Sequence, residues 1–230
     1  QYESILMGQR GVKRYLRDNK GKIQGAFEKG EFDTLAIAGR NLFTSMDVEV
    51  QQLAEKLLQH KIGSVVALNP KTGSVIAMAS SPGYNPNLLT GNQRRKTIGR
   101  LLTDTARPIY NRAIKGQYPP GSTHKMLVGL VGMQEGVISH DQYIPCPGYY
   151  SYNNFKGKCR NHPPTHNIGR AIQFSCNTYF WHTFQKIIDK GGSSNDEANL
   201  DKFYTYMREF GLGQELGVDL PGEEDGKVPN

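Results

Sequence analysis

The sequence is most informative at Tyr118-Pro119-Pro120-Gly121-Ser122-Thr123-His124-Lys125, where a rigid turn leads into an apolar segment. The two prolines and the glycine restrict the backbone, and the pattern that follows predicts a helix from Ser122 to about Glu135. Ser122 and Lys125 are three positions apart, so this helix places both side chains on one face, one turn apart. The lysine amine can therefore reach the serine hydroxyl.

This spacing matters because a serine hydroxyl is a poor nucleophile until a neighbouring base removes its proton. Lys125 can act as that base only in its neutral form, which requires a lowered pKa. Burial and the positive potential of a helix N-terminus both lower the pKa of a lysine. Ser-x-x-Lys also occurs in ordinary first helical turns, so the pair needs support from elsewhere in the chain.

A second polar pair, Ser175 and Asn177, lies fifty residues downstream, at the junction of two helical patterns. A serine hydroxyl there can relay a proton to a leaving amine, and an asparagine amide can hold a substrate carbonyl. The alternative interpretation is that one of these side chains caps the second helix.

The segments before this region predict a helix followed by a hairpin. Residues 47–61 have helical periodicity, and Asp47 is a suitable N-cap. Two apolar strands, 64–68 and 74–78, flank the turn 69–73. The apolar stripe of the helix consists of Val50, Leu53, Ala54, Leu57 and Leu58.

The remaining segments alternate between loops and helices. Residues 80–97 and the long connection 137–166 read as loops, and residues 1–40 as a small β-rich module. Helices are predicted near Ile168 and over the ranges 177–190 and 197–210, and the nucleophile helix buries Leu127, Leu130 and Val131. A strand pair followed by a helical cluster predicts an α+β (mixed α/β) fold.

Charge and composition exclude several classes of protein. The 230 residues carry a formal charge of +7, but Lys and Arg form no block, which disfavours nucleic-acid binding. The remaining interpretations of the charge are a solvated surface and attraction to an anionic polymer or membrane. No run of 18 apolar residues suggests a membrane span. The first residue, Gln1, lies within what reads as a folded segment, so we expect a piece of a longer protein.

Ser-x-x-Lys followed by Ser-x-Asn is the motif order of the penicillin-recognising serine enzymes. The resemblance extends beyond the motifs: "VVALNPKTGSVIAMASSPGYNPN" resembles the strand pair that opens the transpeptidase domain of class B penicillin-binding proteins. The other stretches that are similar to this family are residues 4–23, 38–58, 107–138 and 210–223. The branch that the chain most resembles is penicillin-binding protein 2 of the elongation machinery.

The resemblance implies a partial penicillin-binding transpeptidase domain (serine β-lactamase-like) over residues 46–230, preceded at 1–45 by part of a pedestal or linker module. It implies that Ser122 is the acyl acceptor, Lys125 its base, and Ser175 and Asn177 members of the proton network and substrate contacts. The implied substrates are peptidoglycan stems ending in D-Ala-D-Ala, with β-lactams acylating the same serine and no cofactor required for catalysis. The implied setting is the periplasmic side of the bacterial inner membrane, during cell elongation, beside a membrane-embedded glycosyltransferase.

Two features depart from the family pattern. Lys71-Thr72-Gly73 matches the third family motif in type but precedes Ser122, so we interpret it as a turn. The true third motif is expected after Asn230, and we therefore expect this chain alone to be inactive. His124 stands where Phe is usual, and we assign it no catalytic role.

Cys146, Cys159, His162, His166 and Cys176 surround the long connection and form a candidate metal site. Thiolates and imidazole suit tetrahedral zinc, and Cys159-x-x-His162 has suitable spacing, with His166 as the alternative to His162. Some elongation-type relatives have a metal site here, which implies a structural role for zinc. A Cys146–Cys159 disulfide and buried free thiols remain alternatives.

Two other functions share the Ser-x-x-Lys signal. A serine β-lactam hydrolase would also carry it, but the hairpin at 69–82 and the basic upstream module are not typical of those compact enzymes. A β-lactam sensor, or an inactive scaffold that binds partner proteins, would keep the fold without acyl transfer to an amine.

Overall fold

The computed structural model describes residues 2–228 and has the predicted mixed α/β composition. It contains two compact units, one formed by Gln1–Lys115 with Val218–Gly222 and the other by Gly116–Gly217 with Glu223–Asn230. Among the described residues, no helix is long and apolar enough to cross a bilayer. The boundary that we expect near residue 45 stays a prediction.

The described part of the first unit contains two antiparallel strand pairs and four helices. Its elements are α1 (Glu3–Leu6), β1 (Tyr15–Arg17), β2 (Ile23–Ala26), α2 (Val48–Leu57), β3 (Gly63–Leu68), β4 (Val75–Ser81), α3 (Arg94–Thr103) and α4 (Arg112–Lys115), with short 3-10 turns at Phe27–Gly30, Pro86–Leu89 and Gly91–Gln93. β1 pairs with β2, and β3 pairs with β4. The expected β-rich start of the chain is therefore present, as two short strands and two isolated bridges.

Helix α2 and the β3–β4 hairpin lie close to the positions that the sequence predicts. The Asp47 carboxylate accepts hydrogen bonds from the backbone N–H groups of Glu49 and Val50, which is the predicted N-cap. The predicted apolar stripe is only partly buried, however: Ala54 and Leu58 are buried, whereas Leu57 is 57% exposed. A two-stranded hairpin covers only a narrow strip of the helix, which explains why the stripe is not fully buried.

The second unit is mainly helical and holds the candidate site. Its elements are a 3-10 turn (Gly121–Thr123), α5 (His124–Gln134), β5 (Tyr149–Tyr152), β6 (Phe155–Lys158), α6 (Ile168–Gln173), α7 (Asn177–Ile188), a 3-10 turn (Ser193–Asn195) and α8 (Asp196–Glu209). Helix α5 packs against α7, and α7 packs against α8. One apolar cluster joins these helices, with Val131, Ala171, Cys176, Tyr179 and Met207 as its most buried members.

Helix α5 carries Lys125, directly follows the 3-10 turn that carries Ser122, and has little room on its inner face. A methyl group at Gly132 would lie 2.6 Å from the Thr183 side chain, so a glycine allows the close approach of α5 and α7. Val131 is buried as predicted, but Leu130 is 48% exposed, contrary to the predicted stripe. The apolar sequence of α5 therefore covers more of the helix circumference than α7 and α8 bury.

Two predicted loops contain regular structure. Helix α3 was not expected, because its sequence is polar and only Thr97 and Leu101 are buried. The hairpin β5–β6 divides the long connection 137–166, and its sequence lacks the alternation that signals a half-buried strand. The loop prediction for 80–97 was wrong at 94–97, where α3 begins, and the loop prediction for 137–166 was wrong at β5 and β6.

Glu135, just after α5, is bonded through its carboxylate to α8 and to the turn that follows α7. The Glu135 carboxylate accepts hydrogen bonds from Lys190 Nζ at 2.9 Å, Lys202 Nζ at 2.8 Å and Tyr206 Oη at 2.6 Å, and its side chain is only 6% exposed. Hydrogen bonds from Lys202, Tyr206 and Lys190 lower the pKa of Glu135 to about 2. The charged form is therefore favoured in the folded state.

We expect Glu135→Gln to lower the free energy of unfolding by about 1–3 kcal/mol at pH 7, since charge-assisted hydrogen bonds are lost. Because the folded pKa lies below the unfolded one, this contribution is complete above the unfolded pKa and disappears as pH falls toward 2. Denaturant unfolding of both proteins at several pH values measures it. The control is Glu215→Gln, the same change at an exposed position. A difference that persists unchanged at pH 2 would contradict the prediction.

Candidate active site

The candidate nucleophile lies at the entry to α5. Gly121 adopts a positive φ of 58°, which a residue with a side chain rarely adopts, and this turn presents Ser122 at the start of the helix. One turn later, Lys125 Nζ lies 3.3 Å from Ser122 Oγ. The predicted one-turn spacing therefore brings the amine and the hydroxyl within reach of each other.

Ser175 and Asn177 converge on the same lysine. Lys125 Nζ donates to Ser175 Oγ at 2.9 Å and to Asn177 Oδ1 at 2.6 Å, and Ser175 Oγ lies 3.0 Å from Ser122 Oγ. The lysine also contacts the Ser175 carbonyl at 2.8 Å. The structure thus brings together all four residues that we predicted for catalysis.

The backbone at Ser175 is strained in a way that serves this geometry. Ser175 has a φ of 51°, in the left-handed region that non-glycine residues seldom occupy. Strain of this kind persists where the surroundings impose it, and it is common at functional sites. The cap of α7 is Cys176, whose sulfur accepts from the Tyr179 N–H, so neither Ser175 nor Asn177 serves as the helix cap.

Electrostatics favour the neutral form of Lys125. Burial lowers the pKa of Lys125, and the nearby Arg160 cation acts in the same direction, whereas negative charge on Cys159 and Cys176 acts against it. A neutral amine at this position has a lone pair that can accept the Ser122 proton. The second hydroxyl, Ser175 Oγ, offers a route for that proton to a leaving group.

Asn177 is held by a contact that sequence reasoning missed. Its Nδ2 donates to the Lys158 carbonyl at 3.0 Å, at the end of β6. This orients the amide so that Oδ1 faces Lys125. The acceptor is a backbone atom, so no side-chain pattern could have revealed it.

The candidate metal ligands also come together, and of the two candidate histidines His162 lies in the cluster. One ligand atom from each of Cys146, Cys159, His162 and Cys176 lies within 4.8 Å of the others. His166 instead stacks on Tyr143, with ring centroids 5.6 Å apart. All three cysteines are free thiols in the structure.

The dimensions of this cluster suit a tetrahedral zinc. Cys159 Sγ lies 3.8 Å from Cys176 Sγ and 3.5 Å from His162 Nε2. Bonds of about 2.3 Å to sulfur and about 2.0–2.1 Å to nitrogen give ligand separations of roughly 3.5–3.8 Å around a tetrahedral ion. The other ring nitrogen of His162 lies 2.8 Å from the Pro163 carbonyl, which leaves Nε2 free to bind a metal.

The thiols differ in their tendency to ionise. Burial acts to raise the pKa of Cys159, but hydrogen bonds from the Thr178 backbone and His162 outweigh it, so the pKa is lowered. Burial raises the pKa of the Cys176 thiol. A dication would stabilise both thiolates.

The remaining predicted features take no part in the site. Lys71-Thr72-Gly73 lies in the β3–β4 turn, where the Gly73 N–H donates to the Asn69 carbonyl. His124 packs as an aromatic side chain, with its ring 6.3 Å from that of Phe203 in an edge-on arrangement. Burial lowers the pKa of His124, in keeping with a neutral packing role.

A serine at the entry to a helix and a lysine in its first turn, completed by a Ser-x-Asn segment at the start of a neighbouring helix, place the molecule in the class of penicillin-recognising serine enzymes. Residues 63–230 match the family described as "Penicillin binding protein transpeptidase domain". The chain belongs to that family, which confirms the resemblance seen in the sequence.

Individual relatives agree with this assignment. The chain is 33% identical to the peptidoglycan D,D-transpeptidase MrdA of Acinetobacter baumannii, over 100% of this chain and 32% of that protein. It is similar to Pseudomonas aeruginosa PBP2 in complex with WCK 5153, with 35% identity, a TM-score of 0.70 and coverage of 82% of this chain and 40% of that one. It is also similar to Helicobacter pylori PBP2 in a complex with MreC, with 27% identity, a TM-score of 0.79 and coverage of 100% and 40%.

The chain spans about a third of the length of the curated relatives that it matches, between 32% and 34% for three of them. The match to solved structures extends over the mixed α/β fold as a whole, which confirms the predicted fold class.

Proposed function

We propose that the full-length protein containing this chain is a peptidoglycan D,D-transpeptidase that works through a serine acyl-enzyme. The observation that carries the proposal is the convergence of Ser122, Ser175 and Asn177 on the Lys125 amine, at distances of 2.6–3.3 Å. Membership of the penicillin-binding transpeptidase family supports the same reaction.

In the first half of the reaction, neutral Lys125 takes the Ser122 proton as Ser122 Oγ attacks the carbonyl between the two terminal D-alanines. The Oγ–C bond forms and the peptide C–N bond breaks. The proton passes from Lys125, with Ser175 Oγ as relay, to the departing D-alanine amine. Asn177 holds Lys125 through Oδ1 and is itself fixed by the Lys158 carbonyl.

In the second half, an amine from a neighbouring stem attacks the ester carbonyl. The new amide C–N bond forms, the ester C–O bond breaks, and the amine proton returns through Lys125 to Ser122 Oγ. A β-lactam stops at the first half because its opened ring stays attached to the acyl group. No cofactor enters either half of this scheme.

We further propose that Cys146, Cys159, His162 and Cys176 hold a structural zinc. The donor set and its separations fit such an ion. Zinc would cross-link the segments that carry these residues. Cys176 lies between Ser175 and Asn177, so a rigid cluster there keeps both side chains aimed at Lys125.

The setting that we propose for the full-length protein is the one implied by the resemblance of its sequence. We place it at the inner membrane, with the transpeptidase domain in the periplasm, acting in elongation and rod-shape maintenance beside a membrane-embedded glycosyltransferase. The Helicobacter pylori relative was solved with MreC, which supports an elongation-complex partner for this protein as well.

The decisive experiment incubates the full-length natural protein with a fluorescent penicillin and maps the label by peptide mass. We expect a stable label on Ser122 and complete loss of labelling in Ser122→Ala, because the attacking oxygen is gone. Thr123→Ala, one residue away on an exposed side chain, is the control and should be labelled normally.

Labelling alone does not separate a transpeptidase from a sensor, so the same protein is given a D-Ala-D-Ala stem and an amine acceptor. Release of D-alanine with formation of the cross-linked product supports the transpeptidase. Labelling without transfer supports a sensor, and no labelling at all leaves an inactive scaffold.

A further inference from the structure

The β5–β6 hairpin, next to the candidate active site, has two very different faces. Tyr150 pairs with Gly157 and Ser151 with Lys156 in its antiparallel register. Side chains alternate between the two faces of a strand, so Tyr150 and Gly157 both lie on the inner face. The residues directly before and after each of them in the sequence lie on the outer face. The outer residues are Tyr149, Ser151, Lys156 and Lys158, and all four are exposed.

The inner face fixes the hairpin firmly to α7. A methyl group at Gly157 would lie 2.3 Å from the Trp181 ring, so the strand is in direct contact with that ring. Tyr150 is 5% exposed, and its hydroxyl donates to Gln185 at 2.9 Å. The outer face is therefore presented on a rigid support and costs little entropy to order on binding.

The outer face is basic and aromatic. Lys156 Nζ lies 4.8 Å from the centre of the Tyr149 ring, and the Tyr149 side chain remains 43% exposed. The sequence contains no Asp or Glu from residue 142 to residue 188. The cations in that interval are Lys156, Lys158, Arg160, Arg170 and Lys186.

This face is linked directly to the residues of the site. The Lys158 carbonyl accepts the Asn177 Nδ2 hydrogen bond, and the next residue, Cys159, accepts from the Asn177 backbone N–H at 3.2 Å. A polymer lying on the hairpin would therefore pass beside Asn177. The hairpin is a suitable platform for the part of a substrate that extends beyond the reacting bond.

We propose that the outer face of the hairpin binds the uncross-linked peptidoglycan strand whose stem enters the active site; this inference rests on the proposed function. The strand carries free carboxylates on its peptide stems, which complement Lys156 and Lys158. Its sugar rings have apolar C–H faces that can pack on the flat face of Tyr149. A β-lactam lacks this extended part and has no contact to gain from the hairpin.

The experiment measures binding of fluorescent, uncross-linked peptidoglycan strands to the full-length protein by anisotropy, in a Ser122→Ala background that prevents turnover. We expect Lys156→Glu/Lys158→Glu to weaken binding about tenfold, since two attractions become repulsions. Lys156→Gln, the milder variant, should weaken it about two- to threefold. Strands with amidated stem carboxylates should show a similar loss with the unmodified hairpin.

The matched control is Arg208→Glu/Lys227→Glu, which makes the same change in net charge at two exposed positions of the same unit. Binding within twofold of the parent in the hairpin double variant, or an equal loss in the control, overturns the proposal. Penicillin labelling, measured with Ser122 intact, should stay within twofold in Lys156→Gln and in the control double variant. Absence of labelling in the unmodified protein would reject the proposed function. The strand-binding result does not depend on labelling, because binding is measured in the Ser122→Ala background.

Discussion

Lys125→Arg is expected to reduce penicillin acylation of the full-length protein by about 10²–10⁴-fold, the usual contribution of a positioned general base. Arginine also presents N–H donors at the end of a long side chain, but its guanidinium stays protonated at any usable pH. It can therefore hold Ser175 and Asn177 but cannot accept the Ser122 proton. The measurement is the second-order rate constant of labelling, followed with time at several penicillin concentrations.

The pH profile provides a second test of the same role. Because burial lowers the pKa of Lys125, acylation should rise with pH and reach a plateau below the ordinary lysine pKa of 10.5. In Lys125→Arg this rise should be absent. Lys227→Arg, the same substitution at an exposed position, should behave like the unmodified protein. Retention of the rate within fivefold in Lys125→Arg would show that another group removes the proton.

The site was more predictable from sequence than its surroundings. Ser122 and Lys125 follow a Pro-Pro-Gly turn and lie one helical turn apart, so local geometry alone brings them together. Their meeting with Ser175, across fifty residues, depends on the packing of α5 and α7 and was inferred from motif order. The positive φ of Ser175 had no sequence signal, because serine does not mark left-handed backbone as glycine does.

The parts that sequence reasoning missed depend on long-range contacts. β6 forms because Gly157 lets the strand approach Trp181, a contact that no periodicity reveals. The sequence of α3 is polar and only two of its residues are buried, so it lacks the apolar pattern that would predict a helix. For α2 the error is the opposite one, because the sequence predicted more burial than the described residues show. An apolar pattern identifies the face of a helix that is suited to burial but does not say how much of that face is covered.

Loss of the proposed zinc ion is the other large effect that we expect. Cys159→Ser in the full-length protein should reduce bound zinc from about one ion per chain to below 0.1, because Cys159 is close to two other ligands. An ion present at one hundred times its Kd stabilises the folded state by about 2.7 kcal/mol, which corresponds to roughly 5–10 °C in Tm for a domain of this size. Elemental analysis and thermal unfolding measure the two quantities.

The two histidines provide the matched comparison for this prediction. His162→Ala should lose the metal, whereas His166→Ala should keep it, since only His162 lies in the four-residue cluster. Equal metal content in both variants would exclude His162 as a ligand. A metal-free protein with a mass 2 Da below the reduced chain would indicate a disulfide, and three alkylatable cysteines without metal would indicate free thiols. In either case chelators would leave both Tm and acylation unchanged.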